Sequence, residues 1–470
     1  MTSFRNPEDA IRANQSFWQF KYGEYEPNPP LVEGHYNVDV VIVGGGYTGL
    51  TAAREIKRDQ PDANVMVLEA NEIGFGASGR NGGFNMTLFG MEPEVTALRW
   101  GKKKSAEAQS YMQSAVAYVK DLIEQEGLNS DYEHTGMWRV AYSDKQLKRL
   151  KKTFELLKEL GGSDSYKFLE ADEARAKLQS PHIQGAIVES ETGILDPCKH
   201  VRELKRLALE AGASIFENTK LIDILKSSDG IQIKTVNALI HTKKLVLATN
   251  AWSHTLNAPR KIKKRQMPVW TYQIVSEPLT NEEWKSIGWQ DRMSIEDNRQ
   301  FVHYMRITKC GRITMGGGNI GVDLSDDMNQ WHNEKIWRDL KEHFDWLFPS
   351  LAHKKVHYQW GGAVSVNFDM TPEIGFIGDE NIIYASGCIG HGVSLTQYNG
   401  RLIADLVAEK ETEITRFWIV NRKAIPIPPG KLLAGVGVYS ILGALKGVDW
   451  FEERGLKPNP NSKNALNVSQ

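Results

Sequence analysis

The sequence predicts an α/β fold organised around a Rossmann-like βαβ unit, and three observations carry that prediction. The stretch "VDVVIVGGGYTGLTAAREI" (38–56) is an apolar run that breaks into glycines and resumes with helical spacing. A second apolar run, 65–68, follows a turn and ends on Glu69. Near the other end, "NIIYASGCIGHGVSLTQYNGRLIADLV" (381–407) repeats the order strand, glycine loop, helix.

Residues 38–43 read as a short buried strand, and 48–56 as a helix with Leu50, Ala53 and Ile56 on one face. Between them Gly44, Gly46 and Gly49 have GxGxxG spacing. The first glycine permits the tight turn, the second lets a pyrophosphate approach the backbone, and the third lets helix and strand pack closely. Free N–H groups at the helix start, those of Tyr47 and Thr48 among them, then receive the phosphates. The spacing alone is weak evidence. "GGGNIG" at Gly316, Gly318 and Gly321 also matches. The segment after it, "VDLSDDMNQ", makes a poor helix, and Asp323, Asp326 and Asp327 repel phosphate, so this match reads as a glycine-rich strand end. The first match has the expected continuation. "RDQPDAN" turns into the strand 65–68, and Glu69 with Ala70 stands where a carboxylate accepts hydrogen bonds from the adenosine ribose. A carboxylate there disfavours a 2′-phosphate, which leaves NAD or FAD.

Three further segments bear on that choice. "ANEIGFGASGRNGG" (70–83) is glycine-dense, and Gly76, Ala77, Ser78, Arg80, Asn81, Gly82 and Gly83 are expected to line an extended ligand. "KKLVLATNAWS" (243–253) is a strand ending in small residues with Asn250 at its mouth, fed by a hairpin through 230–235. In 381–407 the strand is 382–385, the loop holds Gly387, Gly390 and Gly392, and the helix starts at Val393. The positive end of that helix, beside a flavin pyrimidine, would stabilise the negative charge that develops at N1 and C2=O. His391 adds to it.

Bulk properties exclude little but exclude it clearly. A chain of 470 residues suggests two or three domains. Lys plus Arg is 57 against 58 Asp plus Glu, so no overall charge invites nucleic acid. The basic runs at 102–104 and 261–265 read as solvated faces. Cys198, Cys310 and Cys388 form no CxxC, which argues against disulfides and zinc and fits a reducing compartment. The first 17 residues have acids and no apolar core, so no secretory signal is expected and the location is read as cytoplasmic. The apolar stretch 432–445 is shorter than the ~20 residues a spanning helix needs. It reads as a buried or interfacial helix, and a peripheral membrane contact stays open.

Together "GGGYTGL", "GFGASGRNGG", "YMRITKCGRITMGGG", "GCIGHGV", "RLIADL" and "PIPPGKLL" resemble the amino-acid-oxidase superfamily of FAD enzymes, within it the gamma-glutamylputrescine-oxidising branch. The resemblance runs from about residue 17 to 449. It implies an FAD domain assembled from 38–90, 183–255 and 363–412, and a substrate domain from 91–182 and 256–362. An N-terminal segment (1–37) and a C-terminal segment (413–470) flank them. The substrate domain would carry an antiparallel sheet over the flavin, with candidate strands at 137–142, 269–276, 301–308 and 312–316. Relatives that bind small amino acids have a lysine after the GHG loop, where this chain has Ser394. The lysine that helps oxygen react in those relatives falls at Thr314. No cysteine stands in "GGAVSVNFDMTP" for covalent attachment, so FAD is expected to be non-covalent.

The resemblance thus implies an FAD-dependent oxidoreductase that takes a small-molecule amine, with O2 or another electron acceptor reoxidising the flavin. Tyr304 and Arg306 are the expected substrate-positioning residues, and Glu296, Asp297 and Asp369 are acids that could border the cleft. The rival readings are an amino-acid dehydrogenase passing electrons to a quinone or carrier, and a non-catalytic flavin-binding subunit.

Overall fold

The βαβ unit forms as its sequence dictates. In the computed structural model, which describes residues 14–162, 164–227, 230–257, 259, 261–289, 291–322, 327–427 and 431–453, the strand Gly34–Val43 runs parallel to Val65–Leu68. The helix Tyr47–Asp59 connects them. Its Leu50, Ala53 and Ile56 are fully buried. The strand 65–68 has its expected ends, while the first strand begins at Gly34, four residues before the expected start.

The first sheet orders its strands Glu373–Phe376, Ile382–Ser386, Ala238–Leu247, Gly34–Val43, Val65–Leu68 and Ser214–Phe216. The four pairings from Ile382–Ser386 to Ser214–Phe216 are parallel. The chain leaves Gly34–Val43 toward Val65–Leu68, while Ala238–Leu247 lies on its other side. That reversal is the topological switch point, where open α/β sheets bind ligands beyond the strand ends. Ala238–Leu247 divides its outer edge between Ile382–Ser386 and the antiparallel hairpin Leu221–Ser227/Gly230–Thr235.

The helix Gly392–Val407 packs on Tyr47–Asp59 at a glycine. A Cβ on Gly400 would lie 2.7 Å from Thr51 Cβ and 2.9 Å from Thr48 O, so only glycine allows the two backbones this approach. The pairing holds the two glycine-loop helix starts side by side.

The second sheet orders Gly321–Val322, Gln266–Ser276, Ile313–Gly317, His303–Ile307, Ser294–Asp297, Met137–Ala141, Gly185–Glu189 and Tyr166–Glu170. Val356–Asn367 pairs with the free edge of Gln266–Ser276. The sheet is antiparallel except for Ser294–Asp297 beside Met137–Ala141. Period-two alternation gives it an apolar and a polar face. Trp138, Ile295, Met305 and Met315 pack with Trp337, Leu340 and Phe344 of the helix Glu334–Leu347.

This pairing moves two expected domain boundaries. Gly185–Glu189, assigned to the FAD domain by the boundary at 183, pairs with Met137–Ala141 and Tyr166–Glu170 instead. The boundary at 363 cuts Val356–Asn367, whose whole length pairs with Gln266–Ser276. The second GxGxxG match does end a strand, with Gly317 and Gly318 at φ +91 and +66. It leads into the short strand Gly321–Val322, and residues 323–326, with Asp323 and Asp326, lie outside the described residues.

The C-terminal apolar stretch lies in the helix Lys431–Glu453. Among the described residues no helix is long and apolar enough to cross a membrane. The end of this helix is tied to the second sheet. Asp449 accepts from the N–H groups of Gln300 (2.8 Å) and Phe301 (3.0 Å), and Glu452 pairs with Arg149 at 3.0 Å. The side chains of 431–439 and 441, the residues from 454 on, the first 13 residues and residues 428–430 of the "PIPPGKLL" motif lie outside the described residues.

Candidate active site

A groove opens at the switch point between the two sheets. Its floor is 44–48, one wall is Glu69 to Asn71 with 75–78 and Asn81, and the far end is Ala248–Asn250, Cys388, Gly390, Gly392 and Val393. Gly44 adopts φ +115, and a Cβ there would sit 2.4 Å from Ala248 O. A Cβ on Gly46 would sit 2.8 Å from Ser78 Oγ. The backbone can therefore approach a ligand only because both residues are glycine. Gly49 serves packing alone, its α-carbon pressed toward Gly44 O. Glu69 accepts from Gly45 N–H (2.8 Å) and Asn71 N–H (2.9 Å). Burial pushes its carboxyl up, against the pull of those two amides.

The remaining expected ligand residues sort by geometry. Thr48, Ala70, Gly76, Ala77, Ser78, Asn81, Asn250, Gly390, Gly392 and Val393 line the groove. Tyr47 contributes backbone only. Its N–H donates to Ser78 Oγ (3.0 Å), while its phenol is buried and donates to Pro197 O (3.2 Å). Arg80 points away. Its guanidinium donates to Phe75 O, Gly361 O and Asn14 O, stacks on Trp331 at 4.6 Å, and burial lowers its pKa to about 9. Alternating glycines and polar residues do not reveal which side each polar residue faces, and Arg80 faces the second sheet. Gly387 is also turned from the groove. Its N–H donates to Ser365 Oγ at 2.8 Å, and the Asn367 side chain leaves no space for a Cβ. Gly82 and Gly83 lie under the second sheet, against the Tyr304 ring and the Arg306 guanidinium.

The polar face of the second sheet comes up to the groove wall at His391, which stands between the lining residues Gly390 and Gly392 and approaches Glu296 of the sheet. One transverse row runs Gln273, Gly316, Tyr304, Glu296, Arg139, Ile187. Arg306 and Thr314 stand on the same face. Tyr304 is half-buried, edge-on to Phe84, and Gly316 gives its ring room. Arg306 donates to Leu195 O (2.8 Å) and stacks on Trp18 at 4.6 Å. Of the expected acids, Glu296 alone belongs to this face. Asp297 points to the other side, where it binds Arg299 (2.5 Å) and His303 (2.9 Å), and Asp369 is paired with Arg422 at 2.6 Å.

Residues not expected from the sequence surround Glu296. Arg139 donates to Glu92 at 2.7 Å. Burial pulls Arg139 down, but Glu92, Glu296, Glu94 and Glu189 together hold it above its ordinary value. Glu189 accepts from Thr87 and Tyr166, and burial raises its carboxyl. His391, the residue before the helix Gly392–Val407, lies with Nε2 3.7 Å from Glu296 Oε1.

The geometry passes a test for a bound group spanning this space. Buried polar side-chain atoms of Gln273, Glu296, Arg306, Thr314 and His391 have no hydrogen-bond partner. Buried polar groups are normally satisfied, and these gather where the groove meets the second sheet. With Glu69 at one end and the Gly390–Gly392 helix start at the other, the residues fit a dinucleotide carrying a flavin.

The sequence matches the family model for FAD dependent oxidoreductases (DAO) over residues 39–406. The chain is a member of that family. This oxidoreductase is similar to gamma-glutamylputrescine oxidoreductase of Escherichia coli (strain K12), with 29% identity over 434 residues, 91% of this chain and 97% of the relative. It is 23% identical to glycine oxidase of Bacillus subtilis (strain 168) over 84% of this chain and 99% of the relative. Among solved structures it shares its fold with L-proline dehydrogenase from P. horikoshii, at TM-score 0.70 and 23% identity over 82% of this chain and 97% of that one. Glycine oxidase from Geobacillus kaustophilus gives TM-score 0.69 at 19% identity, over 83% of this chain and all of that one.

Proposed function

We propose that this oxidoreductase oxidises the C–N bond of an amine without an α-carboxylate, a polyamine derivative of the gamma-glutamylputrescine kind, to an imine that water then converts to an aldehyde. The observation that carries this reading is at Ser394. Its hydroxyl is fully buried and donates to Met86 O at 2.6 Å, so the first turn of this helix offers no cation to a substrate carboxylate. The similarity to gamma-glutamylputrescine oxidoreductase over nearly both whole chains supports the same substrate class.

Bound FAD supplies a two-electron acceptor for the hydride that leaves the amine α-carbon. The chain supplies position and field. Gly44 and Gly46 would let the backbone lie against the pyrophosphate, and Glu69 would hold the ribose. The start of Gly392–Val407, with no side-chain cap at His391, would direct its N–H groups toward charge developing on the ring. Tyr304, beside Gly82, and Phe84, edge-on to it, would wall the reacting end. Arg306, bound to Leu195 O and Trp18, sets the height of the sheet over the Gly82–Gly83 backbone.

Thr314 places a buried hydroxyl where oxygen-using relatives have a cation, which favours an acceptor other than O2. The test of the reading is anaerobic. An amine such as gamma-glutamylputrescine should bleach the flavin and give an aldehyde that a hydrazine reagent traps. Bleaching without aldehyde, or no bleaching by any amine, overturns it.

A further inference from the structure

We infer that Glu296 is the receptor for the cationic head of the substrate, a specificity-determining carboxylate built into the sheet above the flavin end of the groove. The inference rests on the amine reading and names how the amine is held.

Glu296 sits mid-row on the polar sheet face, between Tyr304 and Arg139. Its side chain is 3% exposed. Oε2 has no hydrogen-bond partner, and Oε1 has only His391 Nε2 at 3.7 Å. A buried carboxylate with a free oxygen is costly in a finished core, because nothing replaces its lost hydration. Such a group persists where a ligand completes it. The neighbouring acids do not share this condition. Glu92 is satisfied by Arg139, and Glu189 by Thr87 and Tyr166. Arg139 turns its guanidinium to Glu92, which leaves Glu296 without a cation in hydrogen-bond contact.

The position is also right. His391 lies between Gly390 and Gly392, both on the groove wall. The Glu296 carboxylate therefore lies beside the Gly390–Gly392 turn of the groove wall, next to the helix start. The titratable groups around it are Arg139 and Glu189 on the sheet, Glu92 and Glu94 at the start of the helix Pro93–Gln125, Tyr304 beside it and His391 across from it. Three carboxylates against one guanidinium give the cleft a negative field, which attracts an ammonium and repels an α-carboxylate. The chemistry that completes Glu296 is a primary or secondary ammonium, able to give Oε2 a charge-assisted hydrogen bond.

The test uses the FAD-loaded protein and two probes of the same shape, butylamine and 1-butanol, kept anaerobic at pH 7. Binding is read from the shift of the flavin absorbance. The wild type should bind butylamine at least tenfold tighter than 1-butanol. Glu296→Gln should lose that preference to within threefold, keep its 1-butanol affinity within twofold, and keep its FAD. Glu296→Asp should recover part of the preference. The melting temperature of Glu296→Gln should equal or exceed the wild type, since an unsatisfied buried charge is removed. Unchanged butylamine affinity in Glu296→Gln, or a marked fall in its melting temperature, overturns the assignment. If Glu296→Gln fails in this way while amines still bleach the wild-type flavin, the amine reading stands and only Glu296 falls. If no amine binds or bleaches the wild type, the amine reading itself falls.

Discussion

Replacing Glu69 by alanine tests the dinucleotide end of the groove. The carboxylate accepts from Gly45 N–H at 2.8 Å and Asn71 N–H at 2.9 Å, and so ties the glycine turn to the wall that follows Val65–Leu68. Alanine removes the acceptor for both amides and for the ribose hydroxyls. A hydrogen bond to a charged group contributes about 1.5–3 kcal/mol. Glu69 is half-buried at the groove wall, where water replaces part of what is lost. The expected weakening of FAD binding is therefore about 1–3 kcal/mol, roughly 5- to 150-fold in Kd. The assay titrates apoprotein with FAD and follows the quenching of flavin fluorescence. The spectrum at saturating FAD should match the wild type, because the substitution lies at the ribose and not at the ring. Glu69→Gln keeps one acceptor and should fall between. A Kd for Glu69→Ala within twofold of the wild type would refute the reasoning and leave Glu69 as a scaffold residue.

Gly44→Ala places a methyl 2.4 Å from Ala248 O at φ +115, so the purified variant should carry far less FAD than the wild type; a full flavin complement refutes the cradle. Acid precipitation should release all the flavin into the supernatant as FAD, and flavin left on the protein pellet contradicts non-covalent binding. Burial pushes Asp449 up to about 6 from 3.8, against the Gln300 and Phe301 amides. A raised folded-state pKa in an acid means stability present at low pH and lost as pH rises through about 6. Asp449→Asn escapes that loss, so its stability relative to wild type should improve from pH 5 to pH 8 by roughly 1.4 kcal/mol, the part of the effect still present at pH 5. A pH-independent difference in urea midpoints refutes this.

The groove was legible because its signals are local. GxGxxG, the strand ending in Glu69 and the loop before Val393 each fix a backbone shape within a few residues. Side-chain direction in a glycine loop is not local, which is why Arg80 proved to bind Asn14, Phe75 and Gly361 rather than line the groove. The substrate face was legible in part. Alternation alone separates Glu296 from Asp297, and a period-two reading of "SIED" would have placed them on opposite faces. Arg139, Glu92, Glu189, Thr87 and Tyr166 were out of reach. They come from distant segments, and only the register that sets Arg139 against Glu296 and Ile187 brings them together. The same long-range pairing decides the domain boundaries at Gly185–Glu189 and Val356–Asn367.

The central claim is that the cleft takes amines rather than α-amino acids. The direct measurement is an anaerobic stopped-flow series with putrescine derivatives, glycine and sarcosine at one pH, repeated across pH. Amines without an α-carboxylate should reduce the flavin faster. Their rate should rise with pH, because a protonated amine has no lone pair to assist hydride departure. If sarcosine or glycine reduces the flavin tenfold faster, equivalent to about 1.4 kcal/mol in the barrier, the claim is contradicted and an amino-acid dehydrogenase takes its place.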